Sequence, residues 1–500
     1  MNSLQNEAGG AIPQHVLIVG AGPAGLAAAS AARERGASVT LVDSSDQLGG
    51  QYWRHLPTSR PAAAEHRLHH GWETFRQLRE ALMADAGCRI LTNALIWAIE
   101  TKPESPGVVH VVVGVPDGVG RERSELVATA IVLATGAHDR TLPFPGWDLP
   151  GVFTGGAAQA LAKSERIAVG NRVLVAGAGP FLLPVAASLA SVGATVVGIF
   201  EANRLSTLLR GWLPRPWGLV PAASKGLELA TYVAGFVKNH IPYRLGTMVV
   251  EAHGDDHVEA VTIVSVTLAW EPIAGTERRI EVDAVCVSHG FTPRLELAIA
   301  AGCELTPERF VSVDDTQQTS VPWVFAAGEI TGIGGVDLAL AEGTIAGHVA
   351  AGGFTSDKTV QRAVRRRRVF KGFAARIEAA HGIRIGWTSA VTPQTIVCRC
   401  EEVSFAALCN GVHSTGSRSL RTLKLSTRAC LGVCQGRMCG RSVEVLLAQQ
   451  MEPGSLLDEV ISDRRPIAIP IRLGELASEP HSLDLSTDPS AQNTPLKGQK

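Results

Sequence analysis

Apolar residues fall into short unbroken runs along the first two thirds of the chain, each stopped by glycine or an acid. Val16–Val19 runs straight into Gly20, Gly22, Pro23 and Gly25 and then into an alanine-rich segment, so a buried strand, a tight turn and a helix follow without a gap. The next run, Ser38–Val42, ends in Asp43. The same pattern returns at VLVAGAGPFLLPVAA, where Gly177 and Gly179 hold the first two glycine positions, Leu182 the third, and the strand Thr195–Phe200 ends in Glu201. Between and after these units the pattern predicts a helix over 65–87 and strands over 90–99, 108–115 and 130–136. A helix over 224–240, strands over 258–269, 280–287 and 321–327, and a small-residue helix over 336–352 follow. Strands alternating with helices in this way predict an α/β fold with two dinucleotide-binding, Rossmann-like domains.

The expected organisation is a discontinuous first nucleotide domain (13–140 and 300–355), a second (141–299), a linker (356–394), a small helical cysteine module (395–455) and an extended or disordered tail (456–500). A chain of 500 residues is too long for a single core, which agrees with several domains. The formal charge of -1, with no massed basic stretch, argues against a nucleic-acid partner. No apolar run reaches the roughly 20 residues of a membrane span, and MNSLQNEAGG has neither a basic start nor a hydrophobic stretch, so a cytoplasmic protein is expected. The segment RGWLPRPWGLVP reads as a packed surface excursion, and Arg365–Arg368 as part of a solvated helical connector.

The glycines carry the first chemical signal. Gly20 lets the chain turn, Gly22 lets the backbone approach a pyrophosphate, Gly25 lets helix and strand touch, and the helix N-terminus offers unpaired N–H groups to the anion. Asp43 is placed to accept from a ribose hydroxyl. Gly50 and Gln51 follow in a second close backbone approach where a flavin would lie, and Thr135–Gly136 ends a strand that crosses back past the cofactor. In the second domain Gly177, Gly179 and Glu201 fit NAD or ATP rather than NADP, while Leu182 forces helix and strand apart; an occupied site and a structural copy both stay open. His138 and Asp139 read as a loop-capping pair. The isolated Cys88, Cys286 and Cys303 read as small buried hydrophobes, so dithiol chemistry is disfavoured.

Six of the nine cysteines crowd between Cys398 and Cys439, which points to a metal rather than to crosslinks. Cys398 and Cys400 in CxC, with Cys434 and Cys439 in CxxxxC, give four soft thiolates in two close pairs, enough for a [2Fe-2S] cluster. Cys430 competes for one ligand place, and Cys409 falls in a predicted helix. Gly432, Gly436 and Gly440 leave backbone N–H groups free to reach the sulfurs.

Two further stretches carry a resemblance. TSVPWVFAAGEITGIGG resembles the TxxxxxFAxGD return of two-dinucleotide-domain, disulfide-reductase-like flavoproteins, with Glu329 in place of the usual Asp, and implies that Gly328 and Glu329 contact FAD. CxC followed by TRAxxGxCQGRxC resembles the bacterioferritin-associated-ferredoxin-like [2Fe-2S] domain. Together, over about residues 13–475, they resemble the family that holds the opine oxidase A subunit, the hydrogen cyanide synthase B subunit and the α subunits of hydroxyproline or proline dehydrogenases. That resemblance implies FAD on the first domain and Cys398, Cys400, Cys434 and Cys439 as cluster ligands. It also implies a β subunit of the amino-acid-oxidase type, leaves room for FMN at a subunit interface, and points to a respiratory or other electron acceptor. Opine oxidation, with octopine as an example, is the expected reaction. Glycine oxidation to cyanide, proline or hydroxyproline dehydrogenation, and a self-contained NADH-dependent flavin reductase are the alternatives.

Overall fold

The computed structural model describes residues 14–482 apart from residue 58 and residues 61–64, 103–104, 215–216, 218–221, 417–418 and 451–466. Two five-stranded parallel sheets organise it. The first runs in the order Val324–Ala326, Ala130–Leu133, His15–Val19, Ser38–Val42, Cys88–Leu91. The second runs Tyr243–Leu245, Thr195–Glu201, Arg172–Gly177, Ala284–Ser288, Val152–Thr154. Their central strands are covered on both faces, which is why they read as unbroken Val, Ile, Leu and Ala runs rather than as alternation.

Steric limits explain the glycines of the first unit. At Gly25 a Cβ would stand 1.7 Å from the Gly20 carbonyl oxygen, so the helix Pro23–Glu34 can start directly at the strand end only without a side chain there. The same helix crosses the helix Gly335–Ala350 at close range: Cβ atoms on Gly343 and Gly347, one turn apart, would each lie 2.0 Å from the carbonyl oxygens of Ala24 and Ala28. In the second unit Leu182 takes the place of Gly25, and the helix Leu182–Ser191 begins two residues later than its counterpart would. Leu182 itself is fully buried beneath that helix.

An antiparallel pair, Ala137–Asp139 with Phe291–Pro293, carries the chain out of the first domain and back into it. Each domain also has a smaller antiparallel sheet, Thr247–His253 with Ala260–Ser265 and Arg278–Glu281 in the second, and Ala94–Lys102, Ser105–Val113 and Glu122–Leu126 in the first. The strand expected over 280–287 is therefore two strands in two different sheets, divided by the turn at Val282–Asp283.

Two expectations for the last third are corrected. The arginine-rich connector is the helix Gln361–His381, packed on the helices Leu205–Trp212 and Gly335–Ala350. Its Arg367 is buried and donates to Asp315 Oδ1 at 2.6 Å and to Gln317 Oε1 at 3.0 Å, and Arg366 pairs with Asp337 at 2.5 Å. Packing on two neighbours gives these arginines partners that a solvated helix would lack. The tail is not wholly extended: Leu473–Ala477 is a short helix, Glu475 forms a buried pair with Arg121 at 2.7 Å, and His481–Ser482 adds a parallel strand beside Glu122–Leu126. Residues 483–500 and much of RGWLPRPWGLVP lie outside the described residues. Among the described residues no helix is long and apolar enough to cross a membrane.

Candidate functional site: a cavity from the first glycine turn to the cysteine module

One cavity of 1610 Å³ connects the two glycine turns and the cysteine module. Gly20, Gly22, Pro23, Asp43, Gly50, Gln51, Thr135, Gly136, Gly328 and Glu329 all line it, and Gly25 lies just behind, at the helix–strand contact. Gly22 and Gly50 meet so closely that a Cβ on Gly50 would stand 2.8 Å from the Gly22 Cα, leaving bare backbone along this wall. The N-cap Gly22 has no side-chain cap, so the first N–H groups of the helix Pro23–Glu34 are left to a ligand in the cavity. Bare backbone, an open helix N-terminus and a volume beyond the usual range of small-molecule pockets, up to about 1000 Å³, fit a pyrophosphate-bearing dinucleotide such as FAD.

Asp43 shows a second task beside the expected one. Its carboxylate accepts from the Ala21 N–H at 2.6 Å and the Ser45 N–H at 2.7 Å, tying the glycine turn to the following strand while still lining the cavity. Glu329 accepts from the Gly335 N–H at 2.8 Å. Loss of water pushes its carboxyl up to about 7, with the nearby Glu342 adding to the rise. Glu342 is itself buried, accepts from Gly328 N–H at 3.0 Å and Thr331 hydroxyl at 2.7 Å, and shapes the turn from beneath; nothing in its sequence position signalled that task.

In the second domain Gly179 lines the cavity and Gly177 lies at the strand end, where a Cβ would be 1.8 Å from the Ser288 carbonyl oxygen. Glu201 departs from its expected place at a ribose. It is fully buried and accepts from the Gly179 N–H at 2.8 Å, the Asn203 amide at 2.8 Å and the Tyr243 hydroxyl at 3.3 Å, with His381 Nδ1 at 3.4 Å. A carboxylate so enclosed is matched within the protein, and it does not line the cavity.

His138 and Asp139 both reach the cavity wall. Asp139 accepts from the Gly156 N–H at 3.1 Å and so caps the helix Gly155–Ser164, and burial raises its carboxyl. His138 is held neutral by burial, and its Nε2 donates to the Arg437 carbonyl at 2.8 Å. That contact begins a seam with the cysteine module. Thr141 donates to the Met438 carbonyl at 2.8 Å, Ser442 to the Thr141 carbonyl at 2.5 Å, and Trp147 to the Ile396 carbonyl at 2.5 Å. Arg437 pairs with Glu296, and Arg437 and Arg441 line the cavity.

Within the module the helices Phe405–Thr415, Leu420–Thr427 and Gly440–Gln449 pack round the cysteines, whose apolar neighbours include Leu408, Leu423 and Val443. The Sγ atoms of Cys400 and Cys434 lie 3.6 Å apart, and those of Cys398 and Cys439 also 3.6 Å. Two thiolates bound tetrahedrally to one metal through bonds of about 2.3 Å stand about 3.8 Å apart, so the sulfurs lie at separations that metal ligands adopt. Cys430 Sγ is 3.4 Å from Cys439 Sγ, while its N–H points to Cys398 Sγ at 3.4 Å. A Cβ on Gly432 would meet Cys400 Sγ at 2.5 Å, so that glycine keeps the space at the sulfur open. Cys409 stands apart on its helix, partly exposed. Among the described residues no three His, Cys, Asp or Glu side chains are arranged to hold a single metal ion.

Residues 14–351 match the model of the pyridine nucleotide-disulphide oxidoreductase family. The opine oxidase A subunit of Agrobacterium tumefaciens (strain Ach5) is 31% identical, over 93% of this chain and 92% of its own. The hydrogen cyanide synthase component HcnB of Pseudomonas aeruginosa is 30% identical, over 85% of this chain and 90% of its own. Among solved structures, L-proline dehydrogenase from P. horikoshii superposes with a TM-score of 0.64 at 21% identity, covering 93% of this chain and 80% of that one, which shows a shared fold. The chain belongs to the pyridine nucleotide-disulphide oxidoreductase family as a flavin-dependent oxidoreductase subunit, of one family with the opine oxidase A subunit and HcnB.

Proposed function

We propose that the chain is the electron-transferring subunit of a heteromeric opine oxidase, holding FAD in the first domain and a [2Fe-2S] cluster on Cys398, Cys400, Cys434 and Cys439. The observation that carries this reading is the continuity of one cavity from Gly22 to Arg437, three residues beyond Cys434. FAD would supply an acceptor of electron pairs, and the cluster an outlet that takes them singly. Gly20, Gly22 and the open helix N-terminus would bind the pyrophosphate, Gly328 and Glu329 the ribityl end, and the packed walls would keep water from the ring.

The partner subunit, by this reading, removes two electrons and two protons from the CH–NH bond of an opine such as octopine. Water then splits the imine into an amino acid and a 2-oxo acid. Near-full-length likeness to the opine oxidase A subunit supports this choice. Likeness to HcnB supports glycine as the second candidate. The decisive experiment makes the chain anaerobically with iron, together with a co-purifying amino-acid-oxidase-like subunit, and tests octopine, glycine and proline as reductants of its flavin. Reduction by an opine supports the proposal; reduction by glycine or proline alone moves the chain to the other branch. Absence of both flavin absorption and a reducible iron signal ends it.

A further inference from the structure

Lys163 stands on the helix Gly155–Ser164, only 6% exposed, yet on the cavity wall. Its Nζ donates to the Tyr52 carbonyl at 3.1 Å and lies 5.7 Å from the centre of the Tyr52 ring. The other cavity lysine, Lys225, is matched by Glu228 at 2.9 Å and Asp337 at 3.0 Å, and Arg166 by Glu65. Lys163 has a backbone acceptor but, among the described residues, no carboxylate paired with it; burial and the charge of Arg166 press its ammonium down to about 8. Burying a cation is costly unless an anion answers it. Here the space before it is cavity rather than core.

The path of a dinucleotide places that space. Asp43, at the end of the second strand, marks the adenosine side of the helix N-terminus at Gly22. On the cavity wall Gly50 touches Gly22, Gln51 and Tyr52 follow it, and the Tyr52 carbonyl meets Lys163, so this wall offers the rest of the molecule a course toward the helix that bears Lys163. We infer that Lys163 supplies the positive charge facing the isoalloxazine end of the FAD and stabilises negative charge arriving on that ring. Two electrons and one proton entering the ring leave it one unit more negative; Lys163 keeps its proton and forms no bond. The inference rests on the FAD reading above.

Sulfite tests it, because addition of sulfite places a negative charge on the same ring without turnover. The full chain as purified is compared with Lys163→Met, Lys163→Gln and Lys163→Arg for FAD per chain, sulfite affinity and midpoint potential. The two uncharged variants should bind sulfite about tenfold more weakly and shift the two-electron couple negative by the equivalent of that factor, about 30 mV. Lys163→Arg should restore both. Loss of FAD from both uncharged variants, with Lys163→Arg retaining FAD and wild-type sulfite affinity, also supports the charge. Unchanged sulfite affinity and potential in a flavin-loaded Lys163→Met overturns the inference, as does loss of FAD from Lys163→Arg along with the others. A colourless wild-type chain instead fails the FAD reading itself.

Discussion

The imidazole Nε2 of His138 lies 2.8 Å from the carbonyl oxygen of Arg437, and this hydrogen bond joins the cavity wall to the loop between Cys434 and Cys439. His138→Ala leaves that carbonyl without its donor in a shielded seam. A loss of about 1–2 kcal/mol is expected, the usual cost of an unmet buried polar group. Denaturation curves of the full chain check this, and an unchanged midpoint would show that the seam is held elsewhere.

Gly25→Ala should disable the first domain. A methyl group 1.7 Å from the Gly20 carbonyl oxygen cannot be absorbed by a side-chain shift, so strand and helix must separate. A cost on the order of 1–3 kcal/mol and a fall of tenfold or more in flavin per chain are expected. The ratio of flavin to protein absorption measures it.

Cys398→Ser, Cys400→Ser, Cys434→Ser and Cys439→Ser should each remove the iron signal, whereas Cys409→Ser should leave it intact. The 3.6 Å pairs motivate the first group and the separate helix position the second. Iron per chain and electron paramagnetic resonance are the measurements. A signal lost with Cys430→Ser but kept with Cys439→Ser would exchange the ligand assignment, since these sulfurs are only 3.4 Å apart.

NADH added anaerobically should leave the flavin of the isolated chain oxidised. Glu201 spends its oxygens on Gly179, Asn203 and Tyr243 and does not line the cavity, so it offers no acceptor to a ribose there. Rapid bleaching by NADH would instead support a self-contained reductase.

Glu329 gives the flavin-free chain a pH dependence. Its carboxyl is pushed from 4.5 to about 7 by loss of water, so the native chain holds this proton more tightly than the unfolded one. Below pH about 4.5 both states are protonated and nothing is lost; from about 4.5 to 7 stability falls as pH rises, by on the order of 1–3 kcal/mol in total. Glu329→Gln should therefore be more stable than wild type above pH about 7 and equal to it in acid, with thermal unfolding as the readout.

Much of this architecture was legible along the chain because hard constraints there are local. Gly25 sits where a Cβ would strike the carbonyl oxygen of Gly20, five residues back, and the unbroken apolar runs suit strands covered on both faces. The cysteine spacing likewise signalled a cluster of thiols, which the fold gathers. Distance in sequence hid the rest. Nothing local distinguishes Arg367, buried against Asp315 and Gln317, from the exposed Arg368 beside it.

Sequence by itself determined the two strand–turn–helix units and the presence of a clustered set of thiols, since sterics and short-range chemistry act between neighbours in the chain. Tertiary structure alone decided that Cys398 and Cys400 come within 3.6 Å of Cys439 and Cys434 respectively, that Glu201 is enclosed by Tyr243 and Asn203, and that Lys163 lines the cavity with no carboxylate paired to it among the described residues. Those outcomes depend on which distant segments pack together, and the balance of burial and charge is fixed only when they meet.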